Sequence, residues 1–366
     1  MLFIHNDVVE SVLTMRTCID VQDKAFRAVK TGEATHRPRI DVFAPCDDPE
    51  GYYRWGSMDG AFGGYFATRM KSDIMSWRED VAGRATEDKH CVEPGTYCGL
   101  IFLFSTRNGA PLALINDGIL QHMRVGAGAG IGARYLSREN SRTVGLIGSG
   151  GMAESYLEAF MAVREIEKVR VYSRSIENRE KFASLMSARL GVEIIAVDTP
   201  KKAVCGADIV ASCTNSMTPT LNPEWIEPGM HVTDVNNKEV SDATFARFDV
   251  AVRQGSDDLP MAAHGQFEKG VGKSPGGYVS GTQEEQQRLP RAYAGEKAER
   301  SMTLFVDLAD GSAAGRENST DITYYYNSGY NGLQFAAVGG AVYETCLEQG
   351  LGRRLPLEWF LQDVKN

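Results

Sequence analysis

A β-branched run ending in Gly148-Ser149-Gly150-Gly151-Met152-Ala153, with an amphipathic stretch directly behind it, constrains this chain more than any other feature. The order strand, glycine turn, helix matches G-x-G-x-x-G/A with alanine in the last place. Gly148 permits the tight turn, Gly150 lets the backbone approach a pyrophosphate, and Ala153 permits close packing of helix on strand. The first N–H groups of the helix, opened by Gly151 and Met152, then face the phosphate. Runs at 143–148, 168–173, 193–197, 208–214, 230–235 and 248–252 predict further strands, and apolar residues recur at helical spacing over 152–163 and 176–190. This alternation folds as βαβ units around a parallel sheet. The expected fold class is α/β, with a Rossmann-type doubly wound parallel sheet over residues 131–324.

At 366 residues and 40.1 kDa the chain exceeds what one compact core usually holds, so a second domain is expected. Segments 62–77 and 97–114 read as strands. The stretch 120–138 reads as a helix whose Gly126, Ala127, Gly128, Ala129 and Gly130 suit tight packing. A second helix of that kind, 333–348, is placed to return to the first domain. The second domain is therefore a discontinuous α+β unit made of 1–130 and 325–366. Residues 255–300 are polar, glycine-rich and too long for an ordinary loop, which predicts a lid or surface insertion.

A net charge of -9 and a pI near 5.3 repel phosphate polymers and anionic lipid, so neither nucleic acid nor membrane is an expected partner. Residues 1–10 carry Asp7 and Glu10 and no basic segment before an apolar one, unlike a signal peptide. Seven cysteines without a CxxC pair fit a reducing cytoplasm. His90, Cys91 and Cys98 form one short cluster without a second pair, and no metal is expected.

The second strand of a dinucleotide fold ends near the adenosine ribose, where an acid would accept from the 2′-hydroxyl of NAD. Here Ser173, Arg174 and Ser175 follow Val171-Tyr172, and a guanidinium suits a 2′-phosphate. NADP(H) is the favoured cofactor and NAD(H) the alternative. Thr214 and Asn215 end the fourth strand and Val235 the fifth, on the edge that receives the nicotinamide and its ribose.

The central unit, flanked by Leu120-Gln121-His122-Met123-Arg124-Val125-Gly126-Ala127 and His231-Val232-Thr233-Asp234-Val235-Asn236-Asn237-Lys238, resembles the ornithine cyclodeaminase/mu-crystallin family over most of the chain. The resemblance implies chemistry at a Cα–N bond of an amino or imino acid, and a homodimer joined through the N-terminal domain. It implies that Arg39, in Arg37-Pro38-Arg39, and Arg124 bind the substrate carboxylate. The strand lysine of the family falls on Arg69, two residues from Lys71. Alternation puts Arg69, Lys71 and Asp73 on one face. Where cyclodeaminases carry an aspartate this chain has Lys238, which counts against cyclodeamination.

Imine reduction asks for cations on the carboxylate, a proton donor and a dry pocket. Arg39, Arg69 and Arg124 are the anchor candidates. Lysine can be tuned toward neutrality where arginine cannot, so Lys71 and Lys238 are the donor candidates. His122 reads as structural. The leading expectation is an NAD(P)H-dependent imine reductase or amino-acid dehydrogenase. The alternatives are a redox-neutral cyclodeaminase holding NAD, and a crystallin-like dinucleotide-binding protein without turnover.

Overall fold

A computed structural model describes residues 1–79, 85–236, 238–256, 267–272, 274–279, 282–290 and 301–364. The alternating segment folds into a sheet in the order Glu193–Ala196, Lys168–Tyr172, Thr143–Ile147, Ile209–Ser212, His231–Asp234, Thr323–Tyr326, Val250–Arg253 and Thr303–Leu304. Every neighbouring pair is parallel. The chain starts at Thr143–Ile147 and builds outward first to one side and then to the other. The switch between that strand and Ile209–Ser212 is where open α/β sheets bind ligands.

Short, nearly continuous apolar runs suit strands buried on both faces. Val144, Leu146, Val169 and Val171 fill one layer, and Ile147, Val210 and Val232 the other. The helices Gly151–Val163 and Ile176–Leu190 lie where the periodicity puts them. Two strands escape the sequence reading: the two-residue Thr303–Leu304 at the edge, and Thr323–Tyr326, which inserts between His231–Asp234 and Val250–Arg253. The latter is the longer. Its three consecutive tyrosines show no polar alternation because the strand is interior. Tyr324 stacks on Phe248 at 4.7 Å, and Tyr325 packs into a different cluster.

Among the described residues the other sheet has eleven strands, built around the hairpin Gly51–Phe62 and Tyr65–Glu79. Cys98–Ser105 and Pro111–Asn116 continue it on one side and Ile40–Ala44 on the other. Helices Met15–Thr31, Gly118–Leu136 and Asn331–Gln349 share a core with Ile101, Leu103, Ala113 and Ile115. Helix Gly118–Leu136 is a wedge between the sheets. Leu120, Ala127 and Ile131 join this core, while Val125, Ala129 and Ala133 join the core of the parallel sheet. Contact on two sides accounts for its small residues.

Part of the 255–300 segment has regular structure. Phe267–Val271 and Ser274–Val279 form a hairpin that extends the eleven-stranded sheet beside Ile40–Ala44. Val271, Val279 and Leu289 bury Phe43 and Tyr52. The glycines at 276 and 277 mask this strand pattern in the sequence. Residues 257–266 and 291–300 of the segment lie outside the described residues. Among the described residues no helix is long and apolar enough to cross a membrane.

Candidate functional site

The glycine motif sits at the switch point. Gly148 has φ +110°, and a Cβ there would strike the Cys213 carbonyl, so the turn admits only glycine. Around Gly150 the space is open. No side chain caps the helix Gly151–Val163, which leaves its first N–H groups for an anion. A cavity of about 930 Å³ follows, lined by Gly148, Ser149, Gly150, Ser173, Arg174, Ser175, Thr214 and Asn215. Its size and lining fit a dinucleotide. Gly151 and Met152 form the first helical turn, and Val235 follows the strand His231–Asp234; these three are not part of the lining. Arg174 is exposed at the rim. The Ser149 and Ser173 hydroxyls meet at 2.9 Å, while the Ser175 hydroxyl accepts from the Asn178 N–H as the cap of Ile176–Leu190.

Glu239, which the sequence reading overlooks, organises the adjoining strand ends. Its buried carboxylate accepts from Ser212 Oγ at 2.8 Å, the Thr214 N–H at 2.8 Å and hydroxyl at 2.6 Å, and the Val235 and Asn236 N–H groups. Lys238 is half-buried in the same turn, its N–H donating to Asn236 Oδ1 at 2.9 Å. Lys238 thus belongs to the edge of the parallel sheet. His122 is exposed, and its ring covers the helix start, 3.0 Å from where a Cβ on Gly151 would stand.

The second half of the site is a face of the other sheet. Strand alternation brings Arg69, Lys71 and Asp73 to one side, and all three are buried there rather than solvated. Cross-strand pairing aligns Asp41, Gly56, Lys71 and Gly99 in a row. Glycines flank the lysine because carboxylates occupy their side-chain space: a Cβ on Gly56 would collide with Asp41, and one on Gly99 with Asp117. Neither contact is readable from local sequence, since it depends on register.

Three arginine–aspartate pairs frame this face. Arg39 bonds Asp41, Arg54 bonds Asp73 and Arg69 bonds Asp117. Against the cost of burial, Arg39 and Lys71 hold Asp41 well below the usual carboxylate range. The Lys71 amine lies 4.0 Å from Asp73, and burial, with Arg39 and Arg54 nearby, pushes it well below the ordinary lysine value. One oxygen of Asp73 and one of Asp117 have no hydrogen-bond partner among the described residues.

Arg124 completes the group. Buried in the wedge helix, it donates to Asn331 Oδ1 at 3.0 Å, Gln334 Oε1 at 2.6 Å and Gln121 Oε1 at 2.9 Å, and stacks over Phe335 at 4.9 Å. These partners are neutral amides. Burial and the nearby Arg69 guanidinium push its pKa down. The Gln334 amide nitrogen beside it has no partner among the described residues. Arg39, Arg69 and Arg124, distant in sequence, thus stand within mutual electrostatic reach.

The two halves meet along Ala85–His90, a strand on the edge of Tyr65–Glu79. Thr86 bridges to Ser216, the Glu87 N–H donates to Asn215 O at 3.3 Å, and Asn215 Nδ2 donates to Asp88 Oδ1 at 3.1 Å. The cationic face therefore opens beside the lip of the dinucleotide cavity. Fold and site together define a class: an α/β protein with a Rossmann-type parallel sheet, whose glycine-turn cleft lies beside a buried face of arginines and aspartates.

The sequence profile of the ornithine cyclodeaminase/mu-crystallin family matches residues 1–350, and the chain belongs to that family. It is 31% identical over 260 residues to a Δ1-pyrroline-2-carboxylate reductase of Bacillus cereus, covering 71% of this chain and 74% of the relative. An alanine dehydrogenase of Archaeoglobus fulgidus is 27% identical over 97% of this chain and 98% of its own. The fold is shared with the Thermococcus litoralis Δ1-pyrroline-2-carboxylate reductase in complex with NADH and L-proline. That match has a TM-score of 0.75 at 23% identity, over 97% of this chain and 100% of the other. These relatives are consistent with NAD(P)H-dependent oxidoreduction at a C–N bond.

Proposed function

We propose that this chain is an NAD(P)H-dependent imine reductase, working in reverse as an amino-acid dehydrogenase, with NADP(H) as the favoured cofactor. The observation that carries the reading is Arg124: a buried guanidinium whose partners are amide oxygens, beside the unpartnered Gln334 Nε2. A substrate carboxylate supplies the missing anion, and a guanidinium fork fits it bidentately. Arg69 and Arg39 add positive field to the same pocket.

The cofactor, when bound, supplies or accepts the hydride. Gly148, Ser149 and Gly150 would hold its pyrophosphate against the helix start, Arg174 and Ser173 its adenosine end, and Thr214 and Asn215 its nicotinamide end. Lys71 is the favoured proton donor, because it lies on the face with the carboxylate anchor and its basicity is reduced. As the hydride adds to the imine carbon, the C=N electron pair passes to nitrogen, and nitrogen takes a proton from the Lys71 ammonium. The unpartnered oxygens of Asp73 and Asp117 are suited to accept from the substrate N–H. Burial of the face limits water.

Cyclodeamination remains a second reading only through the family, and Lys238 in place of an aspartate is the residue against it. Steady loss of absorbance at 340 nm with NADPH and a cyclic or 2-oxo-acid-derived imine tests the proposal. Conversion of a diamino acid without net cofactor turnover would replace it.

A further inference from the structure

One wall of the dinucleotide cavity comes from the other sheet. Its lining residues from Ile147 to Thr220 belong to the parallel sheet and its loops, whereas Thr86 lies on Ala85–His90, an edge strand of the eleven-stranded sheet. Backbone contacts hold that strand against the loop after Ile209–Ser212. Thr86 pairs with Ser216 in an antiparallel bridge, and the Glu87 N–H donates to Asn215 O at 3.3 Å. The loop is fixed from its other side by Glu239, which accepts from the Thr214 N–H and hydroxyl at 2.8 and 2.6 Å.

Strand alternation divides the side chains. Glu87 turns to Trp77, whose Nε1 donates to it at 3.0 Å, while Thr86 and Asp88 face the loop. The Asp88 carboxylate takes one group on each oxygen: Asn215 Nδ2 at 3.1 Å and the Thr86 hydroxyl at 3.5 Å. A carboxylate only accepts, so these contacts orient both donors. Asn215 points its nitrogen at Asp88 and keeps Oδ1 as its outer end. Thr86 gives its one hydrogen to Asp88 and keeps its lone pairs. Two acceptors therefore border the cavity here, and they suit a hydroxyl donor rather than a phosphate, which the Asp88 carboxylate repels. The glycine turn has the opposite preference, because the uncapped start of Gly151–Val163 offers N–H groups to the pyrophosphate.

We propose that Thr86 binds a ribose hydroxyl of the dinucleotide and that Asp88 positions both Thr86 and Asn215, so that the second sheet clasps the bound cofactor; this rests on the dinucleotide reading of the cavity and not on the choice of imine. A cofactor seated between the glycine turn and Thr86 is held by both sheets, and its release requires the contact between Thr86 and Ser216 to open.

The test reads cofactor binding directly on the full chain, with NADPH and NADH in parallel. Opposed Cα atoms of an antiparallel pair lie about 4.5–5.5 Å apart, within the span of a disulfide. The double variant Thr86→Cys, Ser216→Cys should therefore cross-link on mild oxidation, as read by peptide mass. Oxidised with cofactor bound, it should release the dinucleotide more slowly than the same protein after reduction, by about tenfold or more, followed by cofactor fluorescence on displacement. Thr86→Val removes the hydroxyl at nearly constant volume and should raise the dissociation constant about three- to tenfold, with Thr86→Ser restoring most of it. Asp88→Ala should weaken binding to a similar degree, and Asp88→Asn, which keeps one acceptor, should recover part of the affinity. A cross-link that fails to form contradicts the bridge, and equal release rates in the oxidised and reduced states contradict the clasp. Either result overturns the proposal, as does an unchanged dissociation constant in Thr86→Val or Asp88→Ala, and all of these leave the dinucleotide reading standing. Wild-type protein that binds neither NADPH nor NADH overturns both.

Discussion

Replacing Arg124 by alanine tests the carboxylate anchor where the structure makes it most specific. In the folded protein this guanidinium is fixed by Gln121, Asn331 and Gln334 and stacked on Phe335, so it meets a substrate carboxylate already oriented. Truncating one partner of a buried, hydrogen-bonded charge pair costs roughly 2–5 kcal/mol, and each 1.4 kcal/mol is tenfold. The specificity constant for an imino acid should therefore fall by roughly thirtyfold to a few thousandfold. Cofactor affinity should stay within about twofold, because Arg124 is outside the dinucleotide cavity. The same change strands buried amide acceptors at about 1–3 kcal/mol each, so the melting temperature should drop as well. Arg124→Lys keeps a charge without the fork and should recover only part of the activity. The assay is NADPH oxidation at 340 nm at saturating cofactor, with thermal melts in parallel. Arg124→Ala that retains near-normal kcat/KM on an identified imine would refute the anchor.

The Lys71 proton donor must be protonated for reduction, and its pKa is depressed by burial and by Arg39 and Arg54. As pH rises through that lowered value the donor is lost, so reductive kcat/KM should fall on the alkaline side well before the ordinary lysine range of about 10.4, while amino-acid oxidation rises over the same interval. Lys71→Met should remove that limb, and a profile unchanged in the variant would point to another donor. Arg174→Ala should raise the NADPH dissociation constant by about tenfold or more and spare NADH, since a charge-assisted phosphate contact contributes roughly 1.5–3 kcal/mol; equal loss for both cofactors would remove Arg174 from the 2′-phosphate. A symmetric dimer should give a light-scattering mass near twice the 40.1 kDa chain at micromolar concentration, and a monomer mass would reject it.

The parallel sheet was legible because its signals are local. β-branched runs, helical periodicity and the glycine turn at Gly148 each lie within a few residues. Thr323–Tyr326 was not legible, since it joins that sheet from some 70 residues beyond its neighbour Val250–Arg253, and only pairing reveals it. The hairpin at 267–279 was hidden by glycines whose strand state depends on Ile40–Ala44. In the candidate site, alternation alone put Arg69, Lys71 and Asp73 on one side, but not the burial of that side. The carboxylate of Asp41 reaches Lys71 over Gly56, and that of Asp117 fills the space over Gly99, through the registers of three strand pairs. Glu239 carries no local signal in the sequence, and its role comes from the two strand ends it joins.

The most direct test of the central claim is isotopic. The enzyme is given NADPH deuterated at the transferable C4 position, together with a 2-oxo acid and an amine, and the amino-acid product is examined by mass spectrometry and proton NMR. Hydride transfer to an imine carbon predicts one deuterium at the α-carbon for each NADPH consumed. Product without α-deuterium, or no NADPH consumed while a diamino acid cyclises, would contradict it.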